Sequence, residues 1–352
     1  MRILVIDYIS YRAHQNFNKI HLETLLKMGH SLHLVGNEGQ FDNIEKNSNV
    51  EVSIIPKCFS RAYPFPQVTT RLKFIICLWW LHLKYHLKQY DLILFPTYEP
   101  LTIHAFRTKY PVVLITHDGH YLDNKVKLRL LKSTPLHYLH ICLNRGMENH
   151  VRSLLPGRKV MYVPHGICPP AMELSKPSYI TKGDPFLFCP INMKYKREFV
   201  EGIISNPELH KYLEENNIKL YVKSQLITTC NIDYIVTIEN NISKPEYDYM
   251  IQNAMAVILP YDKEYMYRCS GIMFECVSRN TPVLTTRLAA MEEYVGMINL
   301  NMFDDVSSLI SGLDDLKHST LKKVDMTIFD PLPHWRRVFG VINRCANNII
   351  SE

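Results

Sequence analysis

The 352-residue sequence has nine cysteines but no C-x-x-C pair and no His/Cys grouping at metal-ligand spacing. Cysteines scattered through apolar runs read as reduced packing residues. That excludes a disulfide framework and a zinc module and points to the cytoplasm. No run reaches the ~20 apolar residues that a membrane span needs. No secretory leader is expected, because Met1-Arg2 leads straight into the apolar run Ile3–Ile6. Three further signatures are missing: G-x-G-x-x-G, G-x-x-x-x-G-K-[ST] and G-x-S-x-G. Their absence argues against a nicotinamide enzyme, a P-loop NTPase and an ordinary α/β-hydrolase. There are no internal repeats and no low-complexity tracts.

What is present fits two domains. The length is about twice that of a typical domain, and 47% hydrophobic residues can fill two ordinary cores. Charge is divided unevenly. Through Cys168 there are 21 Lys and Arg against 11 Asp and Glu, a balance of +10; the remainder has 19 against 23, or −4, giving the formal +6. A basic first half suits an anionic partner there: a membrane surface, a phosphorylated acceptor or nucleic acid. Ordinary surface charge accounts for it nearly as well.

The pattern is α/β throughout. Ile3–Ile6 reads as a buried strand, Asn18–Met28 as a helix stopped by Gly29, and Ser31–Val35 as the next strand. That order opens a doubly wound sheet. Further strands are expected at Val52–Ile55, Leu92–Phe95, Val112–Thr116 and Lys159–Val163. A proline-rich stretch from Cys168 to Asp184 reads as the linker. A second series follows at Phe186–Cys189, Lys219–Val222, Tyr234–Ile238, Ala256–Leu259 and Pro282–Thr285, and a last helix at His334–Asn348. The expected domains are 1–170 with the returning helix 331–352, and 180–330.

Ala256 to Thr286 is the most informative stretch. Two buried strands flank a polar loop and a helix starting near Ser270. This start presents Ser270, Gly271 and the amides of Ile272 and Met273, a ready site for a phosphate. Glu275 follows within two turns, and its carboxylate can accept hydrogen bonds from a ribose diol. Any α/β unit has such a junction, so a merely solvated Glu275 is the competing reading.

The segment resembles the nucleotide-sugar motif of GT-B glycosyltransferases of the family-4-like group. Ser270-Gly271, Glu275 and Pro282-Val283-Leu284 match its helix start, ribose-binding Glu and following strand in order and spacing. The resemblance implies two Rossmann-like doubly wound domains facing a central cleft, with the C-terminal helix crossing back onto the first. Retaining members carry a second Glu eight residues before the first; here that position is Tyr267. The departure tilts the expectation toward inversion. The resemblance also assigns Lys194, Lys196 and Arg197, after the strand Phe186–Cys189, to the donor diphosphate, with Lys196 the first choice. Fixed cations there would stabilise the departing group. Glu239 falls where relatives meet the base. No Asp-x-Asp triplet occurs, and GT-A enzymes usually hold a metal that way, so a metal-independent reaction without a cofactor is expected.

In the first half, Thr116-His117-Asp118-Gly119-His120 follows a strand, at the carboxyl end where open sheets bind ligands. Asp118 is a candidate general base toward an acceptor hydroxyl. Its competing reading is an Asx-turn. His117 is the second catalytic candidate beside Asp118; by resemblance it would instead bind the donor sugar, and Asp118-Gly119 resembles the catalytic Asp of the inverting, membrane-associated glucuronosyltransferase of xanthan-type exopolysaccharide assembly. Arg12, His165 and Arg268 are further candidates.

Arg71 to Lys88 reads as a basic, aromatic, apolar helix. Its Trp79 and Trp80 suit a membrane interface, while Phe74 to Leu78 read as core. The resulting expectation is a cytoplasmic glycosyltransferase, peripheral on the inner face of the cell membrane. It would move a sugar from a UDP- or GDP-linked donor to a saccharide acceptor, lipid-linked, in bacterial O-antigen, capsule or exopolysaccharide synthesis. A phage-type DNA glycosyltransferase and a non-catalytic paralogue binding a saccharide or protein fit the same residues.

Overall fold

The computed structural model describes residues 1–10, 14–59, 67–170, 172–181, 183–190, 197–223, 234–238 and 242–350. The chain divides into two compact units: Met1–Gly166 with Tyr267–Cys269 and Thr327–Glu352, and Ile167–Met266 with Ser270–Met326.

The first unit runs β1 (Arg2–Asp7), α1 (Gln15–Lys27), β2 (Ser31–Gly36), β3 (Val50–Ile54), α2 (Gln67–Lys84), β4 (Leu92–Phe95), α3 (Pro100–Ala105), β5 (Val112–Thr116), α4 (Lys125–Lys132), β6 (Leu139–Cys142), α5 (Arg145–Leu154) and β7 (Lys159–Tyr162). The second runs β8 (Phe186–Cys189), α6 (Arg197–Ile204), α7 (Pro207–Glu215), β9 (Lys219–Lys223), β10 (Ile235–Ile238), α8 (Lys244–Asn253), β11 (Ala256–Leu259), α9 (Gly271–Ser278), β12 (Val283–Thr286), α10 (Ala289–Glu292), β13 (Leu300–Phe303) and α11 (Val306–His318). The last helix, α12 (Leu332–Ile350), belongs to the first unit.

Both sheets are parallel, in the orders β3-β2-β1-β4-β5-β6-β7 and β10-β9-β8-β11-β12-β13. The strand order reverses between β1 and β4 in one and between β8 and β11 in the other. Such switch points are where doubly wound sheets take ligands.

Strands buried on both faces read as unbroken apolar runs. In β1, Leu4 and Ile6 join one core cluster and Ile3 and Val5 the other. Helices α2 to α5 cover the first face; α1 and α12 cover the second through Phe17, Leu22, Leu25, Trp335, Val338 and Phe339. Trp335 is fully buried, and its indole N–H donates to Nδ1 of His21 at 3.0 Å. Nε2 of His21 therefore carries the proton and donates to the His165 carbonyl at 3.0 Å. Local signals set the helix ends. Gly29 takes a φ of 82° after α1, Asn144 caps α5 through the Met147 amide, and Ser243 with Glu246 forms a capping box on α8.

Three sequence expectations are corrected. The helix expected over Arg71–Lys88 begins earlier and ends at Lys84, with a separate turn at Leu87–Gln89. Within it Phe74, Cys77 and Leu78 are buried, but Ile76 is 44% exposed, because helical spacing turns it outward. Strands β6 and β13 were not anticipated: His140 and Asn301 interrupt their apolar runs.

Candidate functional site

In the second unit the switch point lies between β8 and β11, and the flagged residues follow these two strands. Lys194, Lys196 and Glu239 lie outside the described residues, as does Arg12 of the first unit; Arg197 opens α6, with its side chain likewise outside. The stretch after β11 is described in full. Ser270 caps α9: its Oγ accepts the Met273 amide at 3.2 Å and lies 2.6 Å from the Tyr261 hydroxyl. The Met273 amide is thus taken up, which corrects the expectation that it faces a phosphate. The amides of Gly271 and Ile272 have no partner among the described residues. Nothing lies within 4 Å of where a Cβ on Gly271 would stand. Two amides and the positive end of a helix dipole therefore stand unpaired among the described residues.

Glu275 is held rather than loosely solvated. Its Oε2 accepts the Tyr247 hydroxyl at 3.1 Å, and its Oε1 lies 3.6 Å from Nζ of Lys244. A carboxylate has about four acceptor sites, so a ribose diol can still be accommodated by this 29%-exposed side chain. Burial, and then the Glu275 charge, pushes the Tyr247 hydroxyl well above its ordinary range, so it stays a donor. Lys223, the last residue of β9, and Lys244, at the start of α8, both lie over the Tyr247 ring, at 5.7 and 5.1 Å. Behind them Arg279 and Asp248 form a buried pair at 2.7 Å that ties α9 to α8. Lys223, Lys244 and Tyr247 were not singled out in the sequence. The available signal was a lysine ending the strand beside β8.

In the first unit the switch point lies between β1 and β4. The ring of His14, from the β1–α1 loop, packs 4.3 Å from that of His117. Nε2 of His117 donates to the Pro96 carbonyl, after β4, at 2.8 Å. That bond leaves Nδ1 as the acceptor nitrogen. Burial, and then the neighbouring imidazoles, holds His117 neutral, well below the usual range. His14 adopts a left-handed φ of 61° without a side-chain cap bond. A histidine kept in that region stores roughly 1–2 kcal/mol, and such strain gathers at functional sites. Burial lowers His165 to about 4. Its Nδ1 lies 3.0 Å from the Gly166 carbonyl, and Phe17 packs against its ring at 5.1 Å.

Asp118 makes the Asx-turn that its sequence allowed: Oδ1 accepts the His120 amide at 2.9 Å. Its Oδ2 has no partner among the described residues, and the side chain is half-buried. The neighbouring backbone pairs with Tyr267–Cys269, the Gly119 amide donating to the Tyr267 carbonyl at 2.9 Å. Gly119 fits this close approach, since a Cβ would stand 3.0 Å from that of Tyr267 and 3.2 Å from Met147 and those neighbours would have to give way by a few tenths of an ångström. The Tyr267 ring stacks on His150 at 3.7 Å. Arg268 is exposed and bridges to Asp118 through the backbone. Among the described residues no group of His, Cys, Asp and Glu could hold a metal, and no helix is long and apolar enough to cross a membrane.

The arrangement of both sheets is found in solved structures. The chain is similar to UDP-forming trehalose-phosphate synthase from Burkholderia vietnamiensis, with a TM-score of 0.68 and 12% identity over 100% of this chain and 99% of that one. It is similar to sucrose-phosphate synthase from Thermosynechococcus elongatus, at 0.64 and 12% over 99% of each chain. The fold is GT-B. The same architecture carries UDP-GlcNAc 2-epimerase from Methanocaldococcus jannaschii, at 0.60 and 12% over 98% of this chain and 100% of that one. No protein-family model and no curated protein matches the sequence. A fold shared by two synthases and an epimerase does not by itself assign a reaction.

Proposed function

We propose that this protein is a glycosyltransferase that moves a sugar from a UDP- or GDP-linked donor to a saccharide acceptor. One observation carries the reading. The strands flanking the second unit's switch point lead into the two parts a nucleotide diphosphate needs: the open amides of Gly271 and Ile272 with a positioned Glu275 after β11, and Lys194, Lys196 and Arg197 after β8. Amides and cations neutralise the phosphates, and Glu275 accepts from the ribose hydroxyls. The names of the similar structures, which form UDP or act on UDP-GlcNAc, favour the same donor class. With no Asp-x-Asp triplet in the sequence, the charge on the leaving diphosphate falls to these cations without a metal.

On the first unit, Asp118 is the proposed general base, its Oδ1 anchored and its Oδ2 open. His117 binds rather than catalyses. Its surroundings oppose the charge a base must take up, while Nδ1 can accept from a sugar hydroxyl. Tyr267 stands where retaining enzymes of the resembled group carry Glu, which favours an inverting reaction. The acceptor is a lipid-linked saccharide of bacterial O-antigen, capsule or exopolysaccharide assembly, met at the cytoplasmic face of a membrane. The basic balance of the first 168 residues supports this setting.

Glu275→Ala and Lys196→Ala are each expected to weaken UDP or GDP binding by about 1.5–3 kcal/mol, the scale of a hydrogen bond to a charged group. Calorimetry on the folded variants checks this, after a thermal-shift screen of nucleotide sugars on the wild type. Unchanged affinity in both variants would overturn the donor assignment.

A further inference from the structure

Helices α2, α3 and α4 together hold seven Lys and Arg and no Asp or Glu. All three pack on the same face of the first sheet, through residues such as Phe74, Leu78, Ile103 and Leu131. The outer side of α2 carries a second apolar stripe. Leu72, Ile76, Trp79 and Leu83 are 57%, 44%, 56% and 80% exposed. Their spacing of four, three and four residues places them on one side of the helix. On α4, Val126 is 68% exposed, among the exposed Lys125, Arg129 and Lys132.

We propose that this outer surface of α2 and α4 docks the protein on an anionic lipid bilayer. The proposal rests on the membrane-side acceptor reading above and gives it a surface and a lipid chemistry. Four large apolar side chains in one row, Trp among them, suit the boundary between headgroups and acyl chains. The cations beside them suit anionic headgroups. The nearby carboxylates are already engaged. Glu99 pairs with Arg71 at 3.5 Å and caps α3, and Asp123 pairs with His120 and His150 at 2.9 Å each. Lys84 covers the half-buried Trp80 ring at 4.6 Å, leaving Trp79 as the outward indole. A nucleic acid would use the cations but has no use for exposed Leu72, Ile76 and Leu83. A second copy of the chain would bring like charge against like charge.

The test is co-sedimentation of the full chain with vesicles of phosphatidylcholine alone and with equal phosphatidylglycerol, at low and high salt. Binding is expected to the anionic vesicles and to weaken as salt rises. Arg129→Glu with Lys132→Glu should lower partitioning by at least fivefold per cation, the scale of one basic residue at a charged surface. Trp79→Ser with Leu83→Ser should lower it by roughly tenfold or more, from the apolar area lost to lipid. All four positions are exposed, so folding is expected to survive. Failure to bind anionic vesicles at low salt overturns the proposal, as does unchanged binding in both variants. It is equally overturned if duplex DNA, rather than vesicles, retains the protein and the charge variant abolishes that retention. UDP binding measured on the same samples keeps the two readings apart: vesicle binding without nucleotide binding sinks the glycosyltransferase assignment and leaves this surface standing.

Discussion

Between pH 6.5 and about 4 the first unit is expected to lose several kcal/mol of stability, before most carboxylates titrate. The cause is a set of imidazoles that the fold keeps neutral. Burial lowers His21 to about 3 and His140 to about 4. The unfolded chain binds a proton on each near the ordinary 6.5, so below that pH it holds more protons than the folded chain. Stability therefore rises with pH. The contribution is fully present above 6.5 and is lost as pH falls toward the folded values. Each such group costs about 1.4 kcal/mol per pH unit in this window. The two fully buried rings together remove roughly 4–5 kcal/mol over the first two units, comparable to the whole stability of a marginal domain. His117 and His165, both lowered by burial, act in the same direction, and partial exposure of their residues to solvent weakens their share. Asp7 acts oppositely: burial raises its carboxyl, so it takes up a proton more readily when folded. Two variants separate the histidines. Neither ring nitrogen of His140 has a partner among the described residues. His140→Leu should thus add about 1–3 kcal/mol at neutral pH and move the acid midpoint down. His21→Phe should do the reverse at neutral pH, because it strands the Trp335 N–H and the His165 carbonyl. Urea unfolding followed by circular dichroism across this pH range reads both. A His140→Leu protein that is less stable at pH 7 would show that the ring has a partner it needs.

How much of this was legible in the sequence depends on how local each cause is. Leu92–Phe95, Val112–Thr116, Phe186–Cys189 and Ala256–Leu259 emerge as strands at the expected residues, because four or five apolar side chains bounded by polar or turn residues have few other uses. The order of elements was enough for the fold class, since alternating strands and helices leave little choice but a parallel sheet. His140 hid β6, because a polar ring in a strand is legible only once the neighbouring strands bury it. The α9 start was readable from Ser270-Gly271. The partners of Glu275 were not: Tyr247 and Lys244 lie about thirty residues earlier and reach it only when α8 packs beside α9. The exposed stripe on α2 was equally hidden, because an apolar helix shows which side faces the core only after the sheet is in place.

Asp118→Asn is expected to cut turnover by 10²–10⁴-fold, the usual cost of removing a general base, and to leave nucleotide affinity unchanged. The substitution is informative because of what Asp118 already does. Its Oδ1 holds the His120 amide in an Asx-turn, and an Asn carbonyl can hold the same bond. The pairing of Gly119 with Tyr267 involves only backbone and also survives. What the amide cannot do is take a proton from an acceptor hydroxyl at the second oxygen. A loss confined to the chemical step, with donor binding intact, is the signature of a removed base rather than a disturbed loop. Asp118→Ala is the control, since it should lose both the turn and the base and reduce stability as well. The product should carry the opposite anomeric configuration to the donor, readable by NMR; a retained anomer would contradict inversion outright. Near-normal turnover in Asp118→Asn would move the base elsewhere, though not readily to His117. Burial and three neighbouring imidazoles resist a charge on that ring, and the Pro96 carbonyl already fixes its Nε2 proton. Removing His117 should instead weaken sugar binding and raise KM with a smaller change in kcat, a split that distinguishes the binding role from the base.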